Sequence, residues 1–115
     1  MKTLFRLGSS RSEIRNFPAD ARRRPGYELH LVQSGLEPSD WKPTPSVGVG
    51  VKEIRVRTRR EHRVFYVAKF EEGVYVLHAF EKKTQKTPKD DLDLARSRLR
   101  ELLKRPGARK ISGRQ

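Results

Sequence analysis

The sequence predicts an α+β domain: two N-terminal helices packed on a small antiparallel sheet, a meander of three strands, with a C-terminal helix closing the chain. Three observations carry this expectation. Apolar residues recur at helical spacing before residue 35, three apolar segments joined by short polar turns follow between residues 51 and 80, and a capped amphipathic pattern runs from residue 87 to 105.

Taken in order, "MKTLFRL" reads as a short strand. Ser9 or Ser10 can cap a short helix through "RSEIRNF", with Glu13 in its first turn, where negative charge suits the helix dipole. Pro18 opens "PADARRRPGYELHLVQSG" at a natural first helical position, and Phe17, Ala21, Leu29 and Val32 share one face. Pro25-Gly26 interrupts that helix. An interior proline costs roughly 3 kcal/mol, so a kink or two pieces are expected, with Gly35 as the stop. The segment "LEPSDWKPTPSVGVG" holds three prolines and two glycines and reads as loop. In "VKEIRVR", Ile54 and Val56 alternate with Arg55 and Arg57, the period of a half-buried strand. "RTRREH" is a polar turn, "RVFYVAKF" a second strand, and Glu71-Glu72-Gly73 turns it into "VYVLHAF". In the last helix Thr87 is the expected cap, Pro88 the first position and Asp90 the end of a T-x-x-D box. Leu92, Ala95, Leu99 and Leu102 form a stripe for the sheet or a partner, and Pro106-Gly107 ends the helix. Residues 1–105 thus form one domain. Residues 106–115 read as a basic, disordered tail.

The 115 residues suffice for a single modest core. With 27 Lys and Arg against 14 Asp and Glu, the formal charge is +13, which points to nucleic acid, an anionic membrane surface or an acidic protein. The first residues lack the apolar segment of a signal peptide, and no apolar run is long enough to span a bilayer, so no membrane partner and a cytoplasmic location are expected. Cysteine is absent, which removes disulfides and thiolate metal sites. His30, His62 and His78 share no metal-ligand spacing, so neither a metal nor another cofactor is expected.

The cations are clustered. Lys52, Arg55, Arg57, Arg59, Arg60 and Arg63 fall within twelve residues, against Glu53 and Glu61. Lys82, Lys83, Lys86 and Lys89 fall within eight, where the third strand surfaces and the last helix begins. Strand alternation puts Arg55 and Arg57 on the solvent face, and the antiparallel turn brings Arg63 back beside them. Whether the lysines join them depends on strand order. The plain alternative is a solvated basic surface. Like charges on adjacent strands repel, however, so the cluster costs stability unless an anion is present, and guanidinium forks suit phosphate oxygens. Phe65 and Tyr66 read as core packing rather than base-stacking platforms, His78 as a hydrogen-bonded sheet residue rather than a general base, and Trp41 as a plug at a core edge.

"GSSRSEIRNFP", "GYELHLVQSGLEPSDWKP", "GVGVKEIRVR", "HRVFYVAKF" and "VYVLHAFEKKTQKTP" together resemble the phage-derived, HigB-like branch of the RelE/ParE toxin superfamily, from about Gly8 to Arg105. The "F-x-KKTQKTP" and "R-V-x-YVAKF" segments are specific to that branch. The resemblance implies a RelE-like fold and the toxin of a type II toxin–antitoxin pair, an endonuclease that cuts mRNA in the ribosomal A site. It also implies a cognate antitoxin partner with a helix-turn-helix domain. An acidic antitoxin segment against the basic surface follows from charge.

Cleavage of RNA by its own 2′-hydroxyl needs a base near that oxygen, cations on the phosphorane and an acid at the leaving 5′-oxygen, without a metal. By similarity to RelE, Arg55 stands where a strand lysine is a candidate base, Arg63 where an arginine clamps the phosphate, and Lys83 near an arginine that stabilises developing charge. The catalytic candidates are therefore Arg55, Arg63, Lys82, Lys83 and Lys86, with Lys52, Arg57, Arg59, Arg60 and Lys89 as RNA-binding candidates. The sequence departs from RelE at Glu53, which replaces a strand lysine, and has no clear match for a tyrosine near the C-terminus. Because arginine is a poor base, that role is open to Lys82, to Lys86 or to the ribosome. A ParE-like gyrase inhibitor and a noncatalytic nucleic-acid-binding protein are the other readings, and the lysine-rich segment favours RNA.

Overall fold

The computed structural model describes residues 1–105. The tail, residues 106–115, and the helix stop expected at Pro106-Gly107 lie outside the described residues. The α+β class holds, with eight elements: β1 (Thr3–Arg6), α1 (Ser10–Arg15), α2 (Ala19–Gln33), β2 (Trp41–Pro43), β3 (Val51–Arg57), β4 (Glu61–Phe70), β5 (Gly73–Lys82) and α3 (Lys89–Leu103). The sheet has five strands in the order β1-β5-β4-β3-β2. The expected meander is its centre, β3-β4-β5, all antiparallel.

Two strands flank that meander. β1 pairs with β5 in parallel, Thr3 opposite Gly73 and Arg6 opposite Val76. The backbone comes so close there that a Cβ on Gly73 would sit about 2.5 Å from the Thr3 carbonyl oxygen, which only glycine avoids. β2 lies inside the segment expected to be all loop, and pairs antiparallel to β3. It tolerates Pro43 because it is an edge. The Arg55 N–H bonds the Asp40 carbonyl and the Thr44 N–H bonds the Val51 carbonyl, so alternation turns the nitrogen of residue 43 away from the sheet.

The sheet has helices on both faces. Ala21, Leu29 and Val32 of α2 cover Ile54, Val56, Val64, Tyr66, Val74 and Val76 on one side. Ala95, Leu99 and Leu102 of α3 cover Val51, Phe65, Val67, Tyr75 and Leu77 on the other, so the α3 stripe faces the sheet rather than a partner. Burial of Leu99 and Leu102 contributes roughly 1.5–3 kcal/mol each. Phe65 and Tyr66 are core residues, as expected.

Helix details differ from expectation in four places. Ser9 stands at the N-cap of α1, but neither its side chain nor that of the buried Ser10 caps the helix. α2 runs unbroken through Pro25, which is buried on the same stripe as Ala21, Leu29 and Val32, so packing offsets the lost backbone bond. Pro18 and Pro88 each flank a helix instead of opening it: their ψ angles of 156° and 146° are extended, and the helices begin one residue later. The box expected from Thr87 to Asp90 therefore does not form, and no side chain caps α3. Trp41 does not plug the core. It is half-buried on the edge strand, with the Lys52 ammonium 4.5 Å from its ring centroid.

Candidate nucleic-acid interface

Strand register assembles the site. Arg57 pairs with Glu61, and Arg55 with Arg63, across β3 and β4. Arg63 pairs with Phe80, and Glu61 with Lys82, across β4 and β5. β5 thus runs two residues further than its apolar segment suggested, and Lys82 is a strand residue rather than part of the connection. Strand order settles the question the sequence left open: the end of β3, the start of β4 and the end of β5 lie together. Their alternate residues share the α3 side of the sheet, where Lys42 of β2 joins them opposite Glu53.

The guanidinium groups here are not bare. Arg63 is 5% exposed. Its Nε lies 2.8 Å from Glu53 Oε2 and its Nη1 lies 2.7 Å from Glu61 Oε1. Glu53 is itself buried and accepts a hydrogen bond from the Thr44 hydroxyl at 3.0 Å. Arg55 donates to Asp40 through Nε at 2.9 Å and lies within 2.8 Å of it through Nη2, while Arg57 reaches Asp40 and Glu61 at 3.6 Å. The repulsion between facing arginines is answered by carboxylates of the chain itself, so the cluster does not need an external anion for its stability, contrary to expectation.

The lysines behave differently. Among the described residues, Lys82, Lys83 and Lys86 have no carboxylate partner, whereas Lys89 pairs with Asp93 at 2.9 Å. Burial holds the Lys82 amine below the usual lysine range, and the charges of Arg63 and Lys42 lower it further against the opposing pull of Glu53 and Glu61. Lys83 and Lys86 are exposed on a five-residue connection before Pro88, where the Thr84 hydroxyl donates to the Lys86 carbonyl at 2.6 Å. Two packed elements fix that connection at both ends.

The ten residues singled out from the sequence therefore divide. Arg55, Arg57, Arg63 and Lys82 come together on one face, with Lys83 and Lys86 following directly. Arg59 and Arg60 form the β3–β4 turn at the tip of the sheet, with Arg60 3.6 Å from Glu81. Lys89 sits in the first turn of α3. Lys52 does not join them: it points to the α2 side, near Glu37 and Tyr66, at a cleft of about 830 Å³. Sequence reasoning missed Lys42, Asp40 and the role of Glu53. Strand alternation alone puts Glu53 beside Arg55, so that carboxylate was findable; Asp40 and Lys42 were hidden in an unrecognised edge strand.

His78 is a hydrogen-bonded sheet residue, as expected, and holds a separate polar junction. Its Nδ1 lies 2.9 Å from Glu13 Oε1 and its Nε2 lies 2.7 Å from Asp91 Oδ1. Both partners are carboxylates, so both ring nitrogens donate and the ring is an imidazolium. Burial opposes that charge, but the two carboxylates outweigh it and raise the His78 pKa. The junction ties α1 and α3 to β5.

A five-stranded sheet with helices on both faces and a basic, helix-flanked end defines a small α+β protein. The family described as phage-derived protein Gp49-like (DUF891) matches residues 12–100, and the chain belongs to this family, which is of the RelE/HigB toxin type. Comparison with curated proteins gives no match. Among the described residues no helix is long and apolar enough to cross a membrane, and no group of three His, Cys, Asp or Glu side chains is arranged to hold a metal ion.

Proposed function

We propose that the chain is the toxin of a type II toxin–antitoxin pair and cleaves ribosome-bound mRNA at the β3–β4–β5 face by attack of the RNA 2′-hydroxyl, without a metal. One observation carries the reading: strand register sets a half-buried lysine of lowered pKa, Lys82, on the same face as a fixed guanidinium, Arg63. Neutral Lys82 takes the proton of the 2′-hydroxyl. Arg63, Arg55 and Lys83 hold the charge that builds on the phosphorane, and Lys86 protonates the leaving 5′-oxygen. Arg63 can do this without losing its seat. Its Glu53 partner is 2% exposed and fixed, while its Glu61 partner is 42% exposed at a strand end. A phosphate oxygen exchanges with Glu61, and Glu53 keeps the guanidinium in place.

The cognate antitoxin, in this reading, covers the unpaired lysines with an acidic segment. The neutralised state of Arg55, Arg57 and Arg63 favours a second reading, a binding-type inhibitor such as a gyrase poison, in which these arginines only stiffen the sheet. Inducible expression in bacteria, with mRNA 5′ ends mapped, separates them. Growth arrest with new cuts inside translated codons, lost in Lys82→Ala and Lys83→Ala, is the expected result. Arrest without cuts would overturn the ribonuclease.

A further inference from the structure

The basic surface does not end at the face just described. α1 lies along β5 where β1 stops, with Glu13 accepting the Ala79 N–H at 3.1 Å, and the Phe17 ring stands 4.3 Å from that of His62. The α1–α2 junction is therefore at the same end of the sheet as Arg63 and Lys82, but on its other side. Between the two sides stands the β3–β4 turn, whose Arg59 and Arg60 line a cleft of about 560 Å³ with Pro18 and Asp20 of the α2 start. Beyond it, Ser12, Arg15, Asn16 and Arg22 alone line a second cleft of about 520 Å³.

That second cleft has the chemistry of a phosphate site. Arg15 and Arg22 are exposed, and the Arg22 Nη1 approaches the Arg15 carbonyl at only 3.5 Å, a weak hold. Neither has a carboxylate partner among the described residues, and two of the acids nearby in sequence are committed elsewhere. Glu13 is bound by His78 and Arg98, and Glu28 accepts the Ser39 N–H and sits 3.7 Å from Arg24. Two guanidinium groups drawn to one cleft repel unless an anion sits between them, and a serine hydroxyl and an asparagine amide add neutral donors. Two acids stand beside the path: Asp20 lines the first cleft with Arg59 and Arg60, and Glu81 lies 3.6 Å from Arg60, so Arg59 is the turn's cation without a carboxylate partner among the described residues.

We propose that the α1–α2 junction is a second RNA-backbone subsite, in which Arg15 and Arg22, with Ser12 and Asn16, hold phosphates of a strand that passes round the β3–β4 turn from the lysine-rich face. The inference rests on the reading that this chain binds RNA, and extends its footprint to the opposite side of the sheet. The test uses a single-stranded oligonucleotide with 2′-O-methyl riboses, which attack by the 2′-hydroxyl cannot cleave, so that binding is read apart from activity. Affinity is measured by fluorescence anisotropy over a salt series for the native chain and for Arg15→Gln/Arg22→Gln. Each single-strand phosphate contact contributes about 0.7 to the slope of log affinity against log salt. The double variant should thus lose about 1.4 of slope, and Arg15→Lys/Arg22→Lys should restore it, which separates lost charge from misfolding. An unchanged slope in the Gln variant, alongside a lowered slope in Lys83→Gln/Lys86→Gln, would overturn the subsite while leaving RNA binding intact. Loss of poly-glutamate binding with no change in oligonucleotide binding would assign the surface to an acidic protein and overturn it too. The expected slope change in a chain that makes no cuts on translating ribosomes would keep the subsite and sink the ribonuclease instead.

Discussion

Glu13→Gln is the substitution whose consequence follows most directly from geometry. The Glu13 carboxylate lies 2.9 Å from His78 Nδ1 and accepts from the Ala79 N–H at 3.1 Å and from the Arg98 Nη1 and Nη2 at 3.0 and 3.1 Å. Burial alone would raise its pKa, but these donors reverse that and hold it at about 2, against an ordinary 4.5. At about 1.4 kcal/mol for each pH unit of displacement, ionised Glu13 stabilises the fold by roughly 3 kcal/mol. A carboxylate of depressed folded pKa contributes fully above its unfolded pKa and loses that contribution as pH falls toward the folded one. The stability should thus be complete above about pH 5.5, with roughly 2 kcal/mol gone by pH 3. Glu13→Gln keeps the shape and removes the charge, and its amide N–H₂ faces donors, so at pH 7 the variant should melt about 10–20 °C lower. The assay is thermal unfolding followed by circular dichroism at several pH values between 3 and 7. The difference between native and variant should shrink steadily as pH falls. Curves that stay parallel, or melting points within about 2 °C at pH 7, would refute the account of the junction.

Three further outcomes are expected. His78 has a raised folded pKa, so its contribution is complete below about pH 6.5, the ordinary value, and fades as pH climbs through the folded one. Native unfolding free energy should fall as pH rises from about 6.5 through that folded pKa, and His78→Gln should be flat there. Gly73→Ala drives a Cβ against the Thr3 carbonyl oxygen, which must release β1. Amide exchange at Phe5 and Leu7 should rise by at least tenfold while β3 and β4 stay protected. If Lys82 is the base, mRNA cleavage should rise with pH until its lowered pKa is passed, and Lys82→Ala should lose about 10²–10⁴-fold with that pH dependence abolished. An unchanged pH profile in the variant would place the base elsewhere.

What the sequence made legible was periodicity. Ile54 and Val56 alternating with arginines announced a half-buried strand, and the Leu92–Leu102 stripe announced a helix with one apolar face, because both signals are local. β1's parallel pairing was not legible: four residues carry no mark of which strand they will meet 70 positions later. β2 was hidden for a different reason. Proline argues against strands in general, yet at an edge its missing N–H costs nothing when it faces outward. The continuity of α2 through Pro25 escaped as well, since it depends on what Pro25 packs against.

The site shows the same division. Charge clustering marked it as a candidate, and strand alternation placed Arg55, Arg57 and Arg63 on one face. Their carboxylate partners are what turned a patch into an arrangement, and these came from residues no count of cations would weigh. Glu53 stood in the strand as a departure from the family pattern; in the folded chain it is the buried anchor that fixes Arg63. An arginine so fixed is useful for a transition state that gathers charge at one place, because its orientation does not have to be bought again when the charge appears. In the proposed reading the lysines on the β5–α3 connection do the complementary task. Among the described residues they carry no carboxylate partner that an incoming polyanion would have to displace. A basic surface built of such lysines alone would bind any phosphate chain; in the proposed reading, the seated guanidinium beside Lys82 is what suits this one to act on it.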